Sequence, residues 1–414
     1  MITLSKSDKI KGIIKSSPDD FLVEEIGLDG RVFELGSAYS PGSDSGSSGD
    51  DCKFSNFIMQ KKDWNTVQAL RSIAKSFRRG MKSVGFAGTK DRQSTSTQLC
   101  SIFGVEPERL LSMHMKDISI NGAWKASAPV KLGDLLGNRF TVAVRHAPKH
   151  PQAQRIIDEL GGVFPNYFGD QRFGSRGNNV DVGLSILKSD FEGAVMSFLT
   201  DTKNERNEDA IDARDRLHNE QDFKKALSYF PKYLKYELLV IEYLSRFPGN
   251  YANAMRKLPR QTLLMFVHSV ESRIFNDVVE YRIRNGMINP VAGDTLCGRN
   301  AYGFPDYGTL SCFNGGDADG MFIAGSIVGY NSDSINDIEK GAMEKLGIAK
   351  ESFKVKSMPE INCKGTYRAV FAPYKDISYT EMEEGASMRF SLPSGSYATV
   401  LVNEFIDVSQ TTNF

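Results

Sequence analysis

The chain has 414 residues, too many for one ordinary domain and enough for two or three. Its 40% hydrophobic and 25% charged residues are the balance of a soluble globular protein. It has no apolar run of membrane-spanning length and no apolar core behind Met1–Lys6 for a secretory leader, so a cytoplasmic protein without a membrane partner is expected. Basic and acidic residues balance at 51 each, which excludes the strong basic excess that marks many nucleic-acid binders.

In chain order, residues 10 to 26 read as strand, turn and strand, with Pro18 marking the turn. Residues 36 to 51 are dense in Ser, Gly and Asp. They cannot bury a core and read as a flexible surface insertion. Asn56–Lys61 returns to strand. A helix follows, capped by Asn65 or Thr66, with Val67, Leu70, Ala74 and Phe77 at helical spacing, Arg78 and Arg79 in its last turn and Gly80 ending it.

Val84 to Ala87 suits a short strand, and Ser94 to Phe103 a second one. Between them Gly88-Thr89-Lys90-Asp91 reads as a tight turn, with Gly88 free to take positive φ. One carboxylate, Asp91, thus sits at a strand-to-strand turn between Lys90 and Arg92. Side chains of adjacent residues in extended chain point to opposite sides, so those two cannot both pair with it. Lys75, Arg78, Arg79 and Lys82 add to a local cationic cluster, which reads as a solvated helix face.

Gly137-Asn138-Arg139-Phe140 leads into the alternating strand Phe140–Arg145. Pro148 and Pro151 open a helix with Ile156, Ile157 and Leu160. Phe164 to Gly174 is rich in aromatics and glycine and includes Arg172. From about Asn178 to Asn285 helical periodicity dominates, with helices expected over Lys235–Arg246 and Gln261–Arg284. Residues 290 to 330 suit small strands, Ser334 to Leu346 another helix, and Arg389 to Leu401 a strand, a turn, then strand or helix. The order implies a sheet-rich α/β or α+β protein: a sheet-based domain built from both chain ends, with a more helical domain between.

The five cysteines are scattered without a C-x-x-C pair, and the five histidines form no H-E-x-x-H pair, so neither disulfides nor zinc are expected. Gly88-Thr89-Lys90 is no phosphate loop, because the spacing is wrong and strand follows it. No nucleophile elbow or dinucleotide fingerprint exists. What remains is an aspartate, nearby cations and aromatics beside amides. That set fits chemistry on a nucleobase lifted out of an RNA fold, stacked on a ring and held at its edge.

Five ordered segments carry a specific resemblance. They are Ile14-Lys15-Ser16-Ser17-Pro18-Asp19-Asp20-Phe21-Leu22-Val23-Glu24-Glu25, Phe86–Arg92 with Thr97-Gln98, Gly137–Thr141, Pro165-Asn166-Tyr167-Phe168-Gly169-Asp170-Gln171-Arg172-Phe173-Gly174 and Leu392–Thr399. Through them the chain resembles the TruD family of tRNA pseudouridine synthases, in the archaeal and eukaryotic form with a large inserted domain. The resemblance implies an isomerase that converts a uridine in tRNA to pseudouridine, in bacterial members position 13 of the D-arm, with tRNA as partner and no cofactor or metal. A monomer is expected.

The resemblance also implies a pseudouridine-synthase catalytic domain with a central, mainly antiparallel sheet over residues 1–161 and 373–414, and an inserted α-rich α/β TRUD domain over 162–372. Asp91 matches the catalytic aspartate, Phe140 the aromatic that stacks on the target base, Asn138 an active-site amide and Lys15 a basic residue near the aspartate. With these matches Lys15 or Arg172 is the better candidate partner of Asp91, Arg172 is also a candidate contact to phosphate or sugar, and Arg78, Arg79 and Lys82 read equally as a solvated face or a tRNA backbone contact. The other reading is a tRNA-binding or RNA-folding module without catalysis, which loss of the aspartate would mark.

Overall fold

The computed structural model describes residues 1–40, 52–147 and 152–407. Residues 41–51 of the Ser/Gly-rich insertion, and Pro148 and Pro151 at the expected helix start, lie outside the described residues. The chain forms two compact units. One comprises Thr3–Phe164, Asn300–Phe304 and the chain from Ala372, and the other Met1–Ile2, Pro165–Arg299 and Pro305–Phe371. Among the described residues no helix is long and apolar enough to cross a membrane.

The first unit is organised by an eight-stranded sheet. Its strands are β1 (Phe21–Ile26), β2 (Phe54–Lys62), β3 (Val84–Phe86), β4 (Thr95–Phe103), β5 (Ile118–Ala126), β6 (Gly137–Arg145), β7 (Lys375–Met382) and β8 (Gly385–Pro393). Their order is β7-β8-β6-β1-β4-β2-β5, with β3 paired to β4. Only β1 and β4 run parallel; every other pair is antiparallel. Both chain ends close the unit. Ile10 and Lys11 pair with Ile406 and Asp407, and the buried Glu404 carboxylate accepts from the Leu4 and Ser5 N–H groups.

Register decides which side chains share a face of this sheet. Val23 of β1 lies opposite Phe140 of β6 and Ser96 of β4, Glu25 opposite Asn138, and Lys61 of β2 opposite Ser96. Residues two apart along each strand stay on one side. Lys61, Gln98, Glu25, Asn138 and Phe140 therefore stand on one face. Along β2, Phe57, Met59 and Lys61 alternate on that face. The first two join a core with Ala69, Leu70 and Ile73 of the helix α1 (Thr66–Ser76), which lies across it.

Asn65 caps α1, its side chain accepting from the Val67 and Gln68 N–H groups. The helix stops earlier than its pattern predicts. Phe77 is the C-cap, and Arg78 and Arg79 lie beyond the last turn. Arg78 itself takes the left-handed conformation at φ 55°, so the reversal expected of Gly80 happens two residues earlier on a non-glycine residue.

The second unit packs helices Asn179–Leu187, Phe191–Thr200, Glu208–Glu220, Lys235–Arg246 and Arg260–Arg284 around one apolar core. A four-stranded antiparallel sheet joins them, in the order Pro305–Cys312, Thr295–Arg299, Phe322–Ile327, Thr366–Ala369. The architecture is α+β throughout, as the pattern of elements predicts.

Candidate active site

Asp91 does not lie in a tight turn. The segment from Ala87 to Ser94 is an irregular loop, and Gly88 keeps a negative φ. The loop is instead held down by side chains. Lys90 donates its backbone N–H to Thr66 Oγ1 at 2.9 Å. The Lys90 ammonium reaches Glu25 Oε2 at 2.6 Å, an ion pair from which water is almost wholly excluded. The Gln98 amide donates to the Gly88 carbonyl at 2.9 Å. Two donors converge on the Asp91 carbonyl, Ser94 Oγ at 2.7 Å and Lys61 Nζ at 2.8 Å. Thr66, Gln98, Glu25 and Lys61 all belong to α1 or to the sheet face beneath. The rigid scaffold thus fixes the backbone on both sides of the Asp91 side chain.

The Asp91 carboxylate itself points outward, its side chain 45% exposed, and accepts from Lys15 Nζ at 3.0 Å. Of its neighbours in sequence, Lys90 is taken by Glu25 and Arg92 by Asp63 at 3.2 Å. Lys15 is itself positioned. It occupies the left-handed region at φ 58°, its carbonyl accepts from Gln93 Nε2 at 3.0 Å, and its ammonium lies 4.1 Å from the centroid of the Phe21 ring. The Pro18–Asp20 turn behind it is tied to β6 by a bidentate Asp20–Arg145 pair, with Arg145 Nη2 2.6 Å from Asp20 Oδ1. Burial pushes the Asp20 carboxyl up, and the Arg145 guanidinium and Ser17 N–H outweigh it, leaving it below its ordinary value.

Phe140 stands in a row of rings, 5.9 Å from Phe21 and 5.5 Å from Phe390 between centroids, the latter pair tilted by only 28°. It is only 6% exposed. Two residues away, Asn138 presents an amide oxygen that is buried and has no hydrogen-bond partner. Such an atom loses its water without compensation, which is costly unless a ligand completes it. Gly137 precedes it because a Cβ there would collide with the Leu392 carbonyl across the β6–β8 pairing.

Arg172 belongs to the other unit. Its guanidinium lies 5.1 Å from the Phe168 ring centroid, and its Nε is buried without a hydrogen-bond partner. The surrounding motif is anchored within that unit. Asn276 accepts from the Phe168 N–H and donates to its carbonyl, Arg368 donates to Asn166 Oδ1 at 2.6 Å, and Tyr167 is buried.

Two polar residues of the site were not singled out from sequence: Lys61 and Glu25. For both of them a signal existed. Lys61 continues the inward alternation Phe57, Met59, and Glu25 continues Phe21, Val23, so each is a charged residue at a core position of a strand. Burial pushes the Lys61 ammonium down, to about 8, against the pull of Asp91. Burial likewise pushes the Glu25 carboxyl up, against Lys90.

Among the described residues one group could hold a metal ion, in the helical unit. His268 Nδ1 lies 2.7 Å from Glu271 Oε2 and 3.9 Å from Cys363 Sγ. Its members are already engaged with one another, and burial with the adjacent Glu271 pushes the Cys363 thiol well up.

An outward carboxylate paired to one lysine, above a sheet face with an unfilled amide and a row of aromatic rings, suits a nucleophile or base working on a flat polar ring. Comparison with known proteins decides the family. Residues 2–405 match the family model described as tRNA pseudouridine synthase D (TruD). The chain belongs to the TruD family. It is similar to the probable tRNA pseudouridine synthase D of Methanococcoides burtonii, 34% identical over 390 residues that cover 87% of this chain and 89% of the relative. It is 36% identical to that of Methanopyrus kandleri over 358 residues, 84% of each. The crystal structure of the TruD protein from Methanosarcina mazei superposes with a TM-score of 0.78 at 29% identity, covering 98% of this chain and 95% of that one. The matching model and relatives carry the name tRNA pseudouridine synthase D, an isomerase family, and the match extends through both units of this chain.

Proposed function

We propose that this protein converts a uridine of tRNA to pseudouridine, at position 13 of the D-arm, with Asp91 as the catalytic carboxylate. The observation that carries the proposal is the clamped loop. Asp91 is the acid of this site that combines a backbone tied down by buried donors with a carboxylate facing solvent beside a lysine.

The reaction breaks the N1–C1′ bond, turns the detached uracil and joins C5 to C1′. The proton from C5 is lost to the medium, and N1 gains one, so the atoms balance without oxidant or reductant. Asp91 either attacks C1′ or removes the C2′ proton. Lys15 orients the carboxylate. The unfilled Asn138 oxygen accepts from the base edge. Phe140 stacks on the base, which requires its ring to open the contact with Phe21 or Phe390. Residues 1–161 and 373–414 form the catalytic domain and 162–372 the inserted TRUD domain, where Arg172 contacts phosphate or sugar. The protein acts in the cytoplasm.

The alternative, a non-catalytic tRNA-binding module, predicts binding without turnover. Transcribed tRNA labelled with tritium at uridine C5 separates the two. A synthase releases tritium to water in proportion to the target uridine. Stable binding with no release would leave the module reading.

A further inference from the structure

Lys61 is a lysine with no exposed surface, at the inner end of β2. Lysine in the interior is costly, because the ammonium gives up its water. The charged groups facing it are Asp91, Lys90 and Asp63. Lys90 is held by Glu25 and Asp63 by Arg92. That leaves Asp91, whose carbonyl Lys61 reaches at 2.8 Å. The same carbonyl already accepts from Ser94 at 2.7 Å, so backbone satisfaction does not require the ammonium. An apolar side chain at this position would continue the packing of Phe57 and Met59 against α1.

We propose that Lys61 is a positioning residue for Asp91: a buried ammonium that grips the loop from beneath and sets the carboxylate in place while Lys15 meets it from the solvent side. The inference rests on Asp91 as the catalytic carboxylate. Charge strengthens the grip, since an ammonium–carbonyl bond is about twice as strong as its neutral counterpart. A carboxylate displaced by an ångström loses about 10²-fold in rate.

The test compares wild type, Lys61→Met, Lys61→Arg and Asp91→Asn as full chains, in single-turnover reactions with tRNA transcript from pH 6 to 9.5, alongside thermal melts and half-saturating enzyme concentrations. Lys61→Met is expected to react about 10²-fold more slowly at pH 7. Its half-saturating concentration stays within about twofold and its melting temperature is not lowered. The wild-type rate falls as pH rises through about 8, where the ammonium discharges, and Lys61→Met lacks that fall. Lys61→Arg, permanently charged, also lacks it.

A Lys61→Met protein of wild-type rate overturns the proposal. So does one whose rate and melting temperature drop together while the alkaline fall persists, since that is a structural clamp. If Asp91→Asn reacts normally, the reading of Asp91 itself fails. If Asp91→Asn is inactive and Lys61→Met indifferent, only the inference about Lys61 fails.

Discussion

Asp91 and Lys15 are far apart in sequence and 3.0 Å apart in space. The carboxylate is half exposed, so water screens the pair and its worth lies in orientation more than in stability. Lys15→Met is expected to leave the melting temperature within about a degree or two while slowing pseudouridine formation about tenfold, which is roughly 1.4 kcal/mol of transition-state stabilisation. A rate unchanged on this substitution would separate Lys15 from the chemistry. Phe140→Leu tests the aromatic in the same assay; full activity would return the ring to the core. Lys61 adds a stability prediction of opposite sign. Its folded-state value, about 8, lies below the ordinary value near 10.5. The folded protein therefore binds fewer protons than the unfolded chain between those values, and stability rises with pH across that window. Below pH 8 the full penalty, about 3 kcal/mol, is present. Wild type should gain stability from pH 8 toward 10, relative to Lys61→Met, in paired denaturant titrations.

At the scale of elements, strand alternation is the most legible feature of the chain, and it marks charged as well as apolar residues at inward positions. Periodicity places Phe57, Met59, Phe21 and Val23 inward. The same periodicity places Lys61 and Glu25 inward, and a charged residue there must find a partner. Which partner is a matter of register between strands distant in sequence, as with Lys90 and Glu25, and local pattern holds no record of it. The helix end at Phe77 and the negative φ of Gly88 depart from local preference for a related reason. Local preference favours glycine at reversals, but the contacts on α1 and on the 87–94 loop decide where the chain turns. The Glu25–Lys90 pair makes the element-scale prediction. Glu25→Gln leaves a buried ammonium without its counter-charge and should cost about 3–5 kcal/mol in denaturant unfolding. Adding Lys90→Met to Glu25→Gln should recover most of it. A Glu25→Gln protein of unchanged stability would mean that the loop is not held as described.

Across the whole molecule, charge is balanced in number but not in placement. Arg78, left-handed and exposed just past α1, and Lys82 lie on the same segment that leads into the Asp91 loop. Arg79 is partly committed, donating to the Gly104 carbonyl at 2.6 Å. If Arg78 and Lys82 meet the RNA backbone, replacing both with Ser should weaken tRNA binding and lower the slope of log affinity against log salt by about one to two. An unchanged slope would assign them to the solvated surface. The division into a sheet-based and a helical unit follows from physics that sequence does display. Alternation dominates both ends of the chain and a 3.6-residue period dominates the middle.

Primer extension on modified tRNA reads directly whether Asp91 performs the chemistry. A D-arm-containing tRNA transcript is treated with wild type or with Asp91→Asn, modified with carbodiimide and read by primer extension. A stop is expected at one D-arm uridine with wild type. With Asp91→Asn no stop is expected, a loss of more than about 10³-fold, while tRNA binding and the melting curve match wild type. A stop of normal strength from the Asp91→Asn protein would contradict this expectation.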